Sequence, residues 1–277
     1  MYEFIAIDID DTLLNSKLKI PNQNKIAIEE AVKKGVKVTL ATGRMFCSAL
    51  LYAKELDLSL PLITYHGALI KDADKKKTIY HQPVPLEISK EIAKYCQNND
   101  LHLNVYIDDT LYVMEENEHT DYYVKIAQVP CRAVGDLVKF ITRPPTKLTV
   151  VVHDQKAADD AAKEFDDMFG DYVEVTQSKK RFIEVINSKV SKGNAIKIIK
   201  DKYGISRGKT LAIGDSLNDI SMLEYCNMGI CVSNSRLEVK NKADAEVLSN
   251  DEAGVGEAIY RYVLGRDFLG GSYYATK

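Results

Sequence analysis

Short, continuously apolar runs that alternate with amphipathic helical patterns constrain this chain more than any other feature. In the first third, "EFIAIDI" is followed by "NQNKIAIEEAVKKG", then "VKVTLA", "MFCSALLYAKELD" and "LPLITY". Strands apolar on both faces and joined by helices need cover on both sides, which a parallel sheet between helical layers supplies. The last third repeats the rhythm with "KGNAIKIIKDKYG", "KTLAIGD", "LNDISMLEYC" and "MGICVS". The expected fold is therefore α/β, a doubly wound parallel sheet.

The middle has another texture. "LHLNVYID" and "TLYVMEE" flank the turn signal "DDT" and alternate apolar with polar residues, as an antiparallel hairpin does. In "QKAADDAAKEFDDMFG" the pattern places Ala158, Ala161, Ala162, Phe165, Met168 and Phe169 on one stripe. An α+β domain over 84–184 is expected as an insertion into a core made of 1–83 and 185–277. The run "KDADKKK", Lys71 to Lys77, reads as a solvated hairpin turn.

The first strand ends in acids. "FIAIDIDDTLL" delivers Asp8, Asp10 and Asp11, and alternation along a strand would put Asp8 and Asp10 on one face. Two carboxylates roughly 5 Å apart repel by about 3 kcal/mol at an effective dielectric near 20, so the tip calls for a cation or a shared proton. Ligands of open α/β sheets bind beyond the carboxyl ends of the strands. Those ends carry Asp8 and Asp10, Thr42 of "ATGR", Lys192 of "VSKGNA", and Asp215, Asn218 and Asp219 of "GDSLND". A nucleophilic carboxylate, a second carboxyl for proton transfer, a hydroxyl and an ammonium for a dianion, and acids for a hard cation form the set that phosphoryl transfer through an aspartyl-phosphate needs.

In these motifs and their order the sequence resembles the haloacid dehalogenase superfamily, and within it the Cof-type sugar-phosphatase-like members with a large C2 cap. "DIDDTLL", "ATGR", Lys192 and "GDSLNDISML" are similar to the family's four motifs, and the likeness runs to about Leu264. The resemblance implies a Rossmann-like core with an inserted cap, and a Mg²⁺-dependent phosphatase acting on a sugar phosphate or a similar small phosphomonoester. It implies that Asp8 attacks phosphorus and that Asp10 is the acid and base. Mg²⁺ would lie on Asp8, Asp215 and the Asp10 carbonyl. Ile9, Thr42, Gly43, Lys192 and Asn218 would hold the phosphoryl oxygens, Asp219 would support Lys192 or a metal-bound water, and Arg44 and His66 are candidate substrate contacts. "YHGAL" departs from the family's Asn-Gly-Ala at His66, and "CVSNS" stands where members often have "AMGNA". Polar residues of the cap hairpin, Asn104, Tyr106 and Tyr112, are expected to choose the leaving group.

Two rival readings use the same residues. A phosphomutase would return the phosphoryl group to substrate, and a non-catalytic phospho-aspartate signalling or binding module would keep the acids without turnover. A net charge of -3 and a pI near 6.0 argue against nucleic-acid or anionic-membrane partners. No apolar run approaches the ~20 residues of a membrane span. The five scattered cysteines form no metal or disulfide pattern, and no signal-peptide pattern opens the chain, so a cytoplasmic protein is expected.

Overall fold

In the computed structural model, which describes residues 2–268 apart from 128 and 180, fourteen strands form three sheets. In chain order the strands are β1 (Phe4–Ile7), β2 (Lys37–Leu40), β3 (Leu62–Thr64), β4 (Leu69–Lys71), β5 (Thr78–His81), β6 (His102–Ile107) and β7 (Thr110–Val113). Then come β8 (Cys131–Ala133), β9 (Lys147–Val151), β10 (Val173–Lys179), β11 (Phe182–Asn187), β12 (Thr210–Gly214), β13 (Met228–Val232) and β14 (Ala245–Val247).

The core sheet is parallel throughout, in the order β14-β13-β12-β1-β2. Central β1 is wholly buried, and its alternation divides the core: Ile5 and Ile7 join the cluster on one face, Phe4 and Ala6 that on the other. Helix Asn22–Lys33 covers the first face with Ala27, Ile28 and Ala31, and helix Lys192–Lys202 covers the second with Ala195, Ile196 and Ile199. Because every strand of this sheet runs the same way, their carboxyl ends share one edge. Asp8 follows Ile7 there, and Asp215 follows Gly214.

"LPLITY" departs from expectation. Its strand β3 touches the parallel sheet through a single Ala41–Ile63 bridge and otherwise pairs antiparallel with β4, which pairs with β5. Only three residues long, it turns away at Tyr65 and His66, both buried and both left-handed, with φ of 51° and 59°. Such a conformation is costly for bulky side chains, about 1–3 kcal/mol each, and persists only where the surroundings impose it.

The second sheet, β10-β11-β9-β6-β7-β8, is antiparallel except for the β7–β8 pair. Helices Leu86–Asn98 and Gln155–Phe169 cover one face, burying Ile92, Ala93, Ala158, Ala161, Phe165 and Phe169 against Leu103, Val105, Leu148, Val150, Ile183 and Val185. Met168 is 42% exposed, because it sits at the edge of the stripe rather than on it. Strand alternation turns the other set, Tyr106, Lys147, Phe182 and Glu184, to the opposite face, toward the core sheet. At the passage between the sheets, Asn187 donates to the Pro83 carbonyl, and the Val84 amide donates to that of Pro145. No helix among the described residues is long and apolar enough to cross a membrane. The sequence segment after Leu264 lies outside the described residues from 269 on.

Candidate active site

The strand-end residues converge on one cavity between the sheets. Asp8, Asp10, Thr42, Gly43, Arg44, His66 and Asn218 line it from the core side. Beneath it lies a buried ionic cluster. The Lys192 ammonium, in the first turn of a helix capped by Ser191, donates to Asp8 Oδ1 at 2.6 Å and to Asp219 Oδ1 at 2.5 Å. These ion pairs answer why a lysine occupies a helix N-terminus, where the macrodipole disfavours it. Asp219 Oδ2 accepts from the Asp215 and Ser216 amides, so both its oxygens are engaged. That close fit depends on Gly214, where a Cβ would fall 2.6 Å from Asp219 Cβ. Asp215 accepts from the Thr12 hydroxyl at 2.6 Å and from the Ser216 hydroxyl at 2.8 Å.

Three carboxylates therefore cluster around one ammonium that bonds only two of them, Asp8 and Asp219. Burial, with Asp219 next, pushes the Asp215 carboxyl up to about 7. Burial also raises Asp8 well above the carboxylate range; Lys192 opposes it, while Asp219, Asp215 and, least, Asp10 add to it. Burial works against the Lys192 ammonium too, but Asp219 and Asp8 outweigh it and hold the proton on. The ligand atoms of Asp8, Asp215 and Asp219 lie within 4.8 Å of one another. Hard oxygen donors with unbalanced negative charge fit a divalent cation. Asp8 and Asp215 are the candidate ligands: Asp219 is committed to the Lys192 ammonium and two backbone amides, whereas Asp215 accepts only from two hydroxyls, which can rotate away.

Asp10 departs from the expected pairing with Asp8. The strand ends at Ile7, and the Asp10 carboxylate instead forms a two-pronged pair with Arg44, at 2.8 Å from Nε and 2.7 Å from Nη2. Arg44 also donates to Ser48 Oγ. Asp11, with φ of 58°, is exposed and lines the cavity, and the Asn234 amide of "CVSNS" donates to its carbonyl. The Thr42 hydroxyl accepts from the Arg44 amide.

A second buried network joins the sheets, and sequence reading missed it. Lys147 of β9 donates to Glu184 Oε1 at 2.5 Å and to the Gly43 carbonyl at 2.9 Å. Glu184 Oε2 lies 2.6 Å from His66 Nε2, and His66 Nδ1 lies 3.2 Å from Asn218 Nδ2. A carboxylate only accepts, so Nε2 carries the proton; in the neutral ring Nδ1 then accepts from Asn218. Among the described residues, this leaves the buried Asn218 Oδ1 without a partner. Burial works against the Glu184 carboxylate, yet Lys147 and His66 outweigh it and hold it well below its usual range. Gly43 makes room for this stack, because a Cβ there would meet His66 Cε1 at 2.4 Å. The signal was present in the sequence: Lys147 and Glu184 are lone charges in the otherwise apolar runs "KLTVVV" and "FIEVI".

The expected selectors Asn104 and Tyr106 are buried, and neither they nor Tyr112 line the cavity. From the second sheet and its connections, Tyr123, Ala127, Val129, Lys147, Phe182 and Glu184 do. The hairpin contributes elsewhere. Asp109, at its tip, accepts from the Phe46 and Cys47 amides, each at 2.8 Å, and from the Tyr65 hydroxyl at 2.9 Å. It caps the core helix Phe46–Glu55 from across the interface.

A family model described as haloacid dehalogenase-like hydrolase matches residues 5–259. The 5-amino-6-(5-phospho-D-ribitylamino)uracil phosphatase YwtE of Bacillus subtilis (strain 168) is 31% identical over 291 residues, covering 95% of this chain and 98% of that protein. The chloroplastic endoribonuclease YBEY of Arabidopsis thaliana is 28% identical over 274 residues, covering 95% of this chain and 47% of that protein, so the chain spans about half its length. Among solved structures, the crystal structure of TM0651 from Thermotoga maritima is similar with a TM-score of 0.84 and 28% identity, covering 94% of this chain and 97% of that one.

Proposed function

Because the chain belongs to the haloacid dehalogenase-like hydrolases, we propose that it is a Mg²⁺-dependent phosphatase of a small phosphorylated metabolite, a sugar phosphate or similar phosphomonoester. The observation that carries this reading is the setting of Asp8. Lys192 takes one of its oxygens, no hydrogen bond among the described residues takes the other, and the side chain lies on the floor of the cavity beside Thr42 and Asn218. YwtE, named as a phosphatase, supports the same chemistry.

In this reading the free Asp8 oxygen bonds to phosphorus as the ester P–O bond breaks, and the leaving alkoxide takes a proton from Asp10. Asp10 then removes a proton from water, whose oxygen bonds to phosphorus and releases phosphate and the Asp8 carboxylate. Arg44 holds Asp10 as a carboxylate, which suits the second step. The first step requires Arg44 to turn away, and the phosphoryl dianion is an anion it can turn to. The Thr42 hydroxyl, the Ile9 and Gly43 amides and Lys192 would orient the phosphoryl oxygens. Mg²⁺ held by Asp8, Asp215 and the Asp10 carbonyl would offset the acids' charge and polarise the phosphoryl group. The segment that carries the second sheet, 84–184, would act as a cap that excludes water.

Phosphate release from a metabolite panel with Mg²⁺ tests this, together with mass spectrometry of acid-quenched enzyme. The wild type should release phosphate and carry a phosphoryl group on the Asp8 peptide; Asp8→Asn should do neither while keeping its circular dichroism. Phosphate release that survives in Asp8→Asn would overturn the mechanism.

A further inference from the structure

The end of the second sheet opposite the hairpin tip holds side chains that the phosphoryl chemistry does not use. Three of the chain's five histidines, His102, His119 and His153, gather there. His102 opens β6, at the other end of the hairpin from Asp109, and pairs with Val151, the last residue of β9; His153 follows two positions later. His119, with Glu118, begins the helix Glu118–Ala127. The rings form a tilted stack, with the His119 centroid 5.4 Å from that of His102 and 4.7 Å from that of His153. None of these residues lines the cavity.

Glu118, His119 and His153 each bring one ligand atom within 4.8 Å of the others. Ligands about 2.0–2.2 Å from a tetrahedral ion stand roughly 3.4 Å apart, so side-chain rotations close the difference. A lone pair is ready. Arg181 Nη2 lies 3.3 Å from His119 Nδ1, and a guanidinium only donates, so Nδ1 is an unprotonated acceptor. A metal would take that lone pair in place of the Arg181 proton, while Arg181 keeps its Nε bond to the Val152 carbonyl and its place over the Tyr122 ring. The Glu118 carboxylate supplies the negative charge that a cation beside Arg181 needs. Glu118 and His153 are exposed, so an ion can enter from solvent and water can complete its shell. His102 is the backing rather than a ligand, its ring set behind His119 and its Nε2 donating to Asn104 Oδ1 at 3.1 Å.

Two imidazoles and a carboxylate favour a borderline ion over Mg²⁺, which prefers an all-oxygen shell. We propose that Glu118, His119 and His153 form a second metal site, separate from the acids at Asp8 and Asp215, which takes Zn²⁺ or a like transition-metal ion with water in the fourth position. Such an ion ties the start of helix Glu118–Ala127 to the segment after β9. Tyr123, one turn along the same helix, lines the cavity, so the tie bears on one of its walls.

The test is titration of Zn²⁺ into the full chain against a chromophoric chelator, under reducing conditions and with excess Mg²⁺ to fill the acidic site, with melting followed in parallel. One equivalent should bind, and the melting temperature should rise by about 5 °C or more at 100 times the dissociation constant. His153→Ala and Glu118→Ala change exposed side chains, so each should melt normally without metal yet bind Zn²⁺ about tenfold or more weakly, and the double variant should lose the equivalent. Asp215→Asn should keep it. Failure to bind Zn²⁺ in the presence of Mg²⁺, an equivalent that survives the double variant, or one that is lost in Asp215→Asn overturns the proposal, the last two by placing the ion at the cysteines or at the acids.

Discussion

Replacing Asp215 by Asn should make the metal-free protein more stable while removing its response to a divalent cation. Asp215 is 7% exposed and lies beside Asp8 and Asp219, which take the Lys192 ammonium, while Asp215 itself accepts only from the Thr12 and Ser216 hydroxyls. Burial and Asp219 push its pKa up to about 7, against the pull of the Thr12 and Ser216 hydroxyls. Relative to an ordinary carboxyl the rise is about 3 units, or at most ~4 kcal/mol. Below about pH 4 the group is protonated in both folded and unfolded chains and exacts no penalty. Between about pH 4 and 7 the unfolded chain ionises first, so stability falls as pH rises, and above about 7 the penalty is complete. Asn stays neutral throughout and keeps one acceptor for a hydroxyl. Allowing for relaxation around the site, the variant should match the wild type near pH 4 and exceed it by about 2–4 kcal/mol at about pH 8. Urea unfolding in chelator at several pH values measures this difference. Repeating it with Mg²⁺ should restore the wild type by about 2.7 kcal/mol at 100 times the dissociation constant, and the variant much less. A variant no more stable than the wild type at pH 8 in chelator, or one that gains equally from Mg²⁺, would refute the reasoning.

Two further expectations concern the interface between the sheets. Glu184→Gln leaves the buried Lys147 charge without its counterion and should cost about 3–5 kcal/mol in urea unfolding, whereas Lys147→Met combined with Glu184→Leu should cost less than the single change; a double variant that is the less stable one would contradict this. Asp109→Ala removes the acceptor for two helix amides, so hydrogen exchange at Phe46 and Cys47 should rise by about fivefold or more, equivalent to ~1 kcal/mol of lost capping, and unchanged exchange there would show that the hairpin does not hold the helix.

The positions of the acids were legible because they follow from pattern and topology. A continuous apolar run such as "FIAI" must be buried on both faces, and parallel strands bring their carboxyl ends to one edge; Asp8, Thr42 and Asp215 therefore meet wherever the strands pair. Strand β3 misled because its composition matches that of a core strand, yet a buried left-handed turn at Tyr65 and His66 redirects it, and nothing in "LITYHG" announces two positive φ angles. The hairpin misled in the opposite sense: its Asn104, Tyr106 and Tyr112 read as selectors, but Asn104 and Tyr106 are buried, none of the three lines the cavity, and Asp109 at the tip caps a helix.

The sequence by itself determined the layers, the two kinds of sheet and the shared edge where the acids gather, since those depend on periodicity within a few residues. Tertiary structure alone decided the partners. Arg44 meets Asp10 across 34 positions, Lys147 meets Glu184 across 37, His66 meets Glu184 across 118 and Lys192 meets Asp8 across 184. The pairs of Arg44, Lys147 and Lys192 depend on how distant segments of one sheet unit meet, and that of His66 with Glu184 on how one sheet docks over the other. That docking is set by packing across the whole interface, which no local spacing encodes.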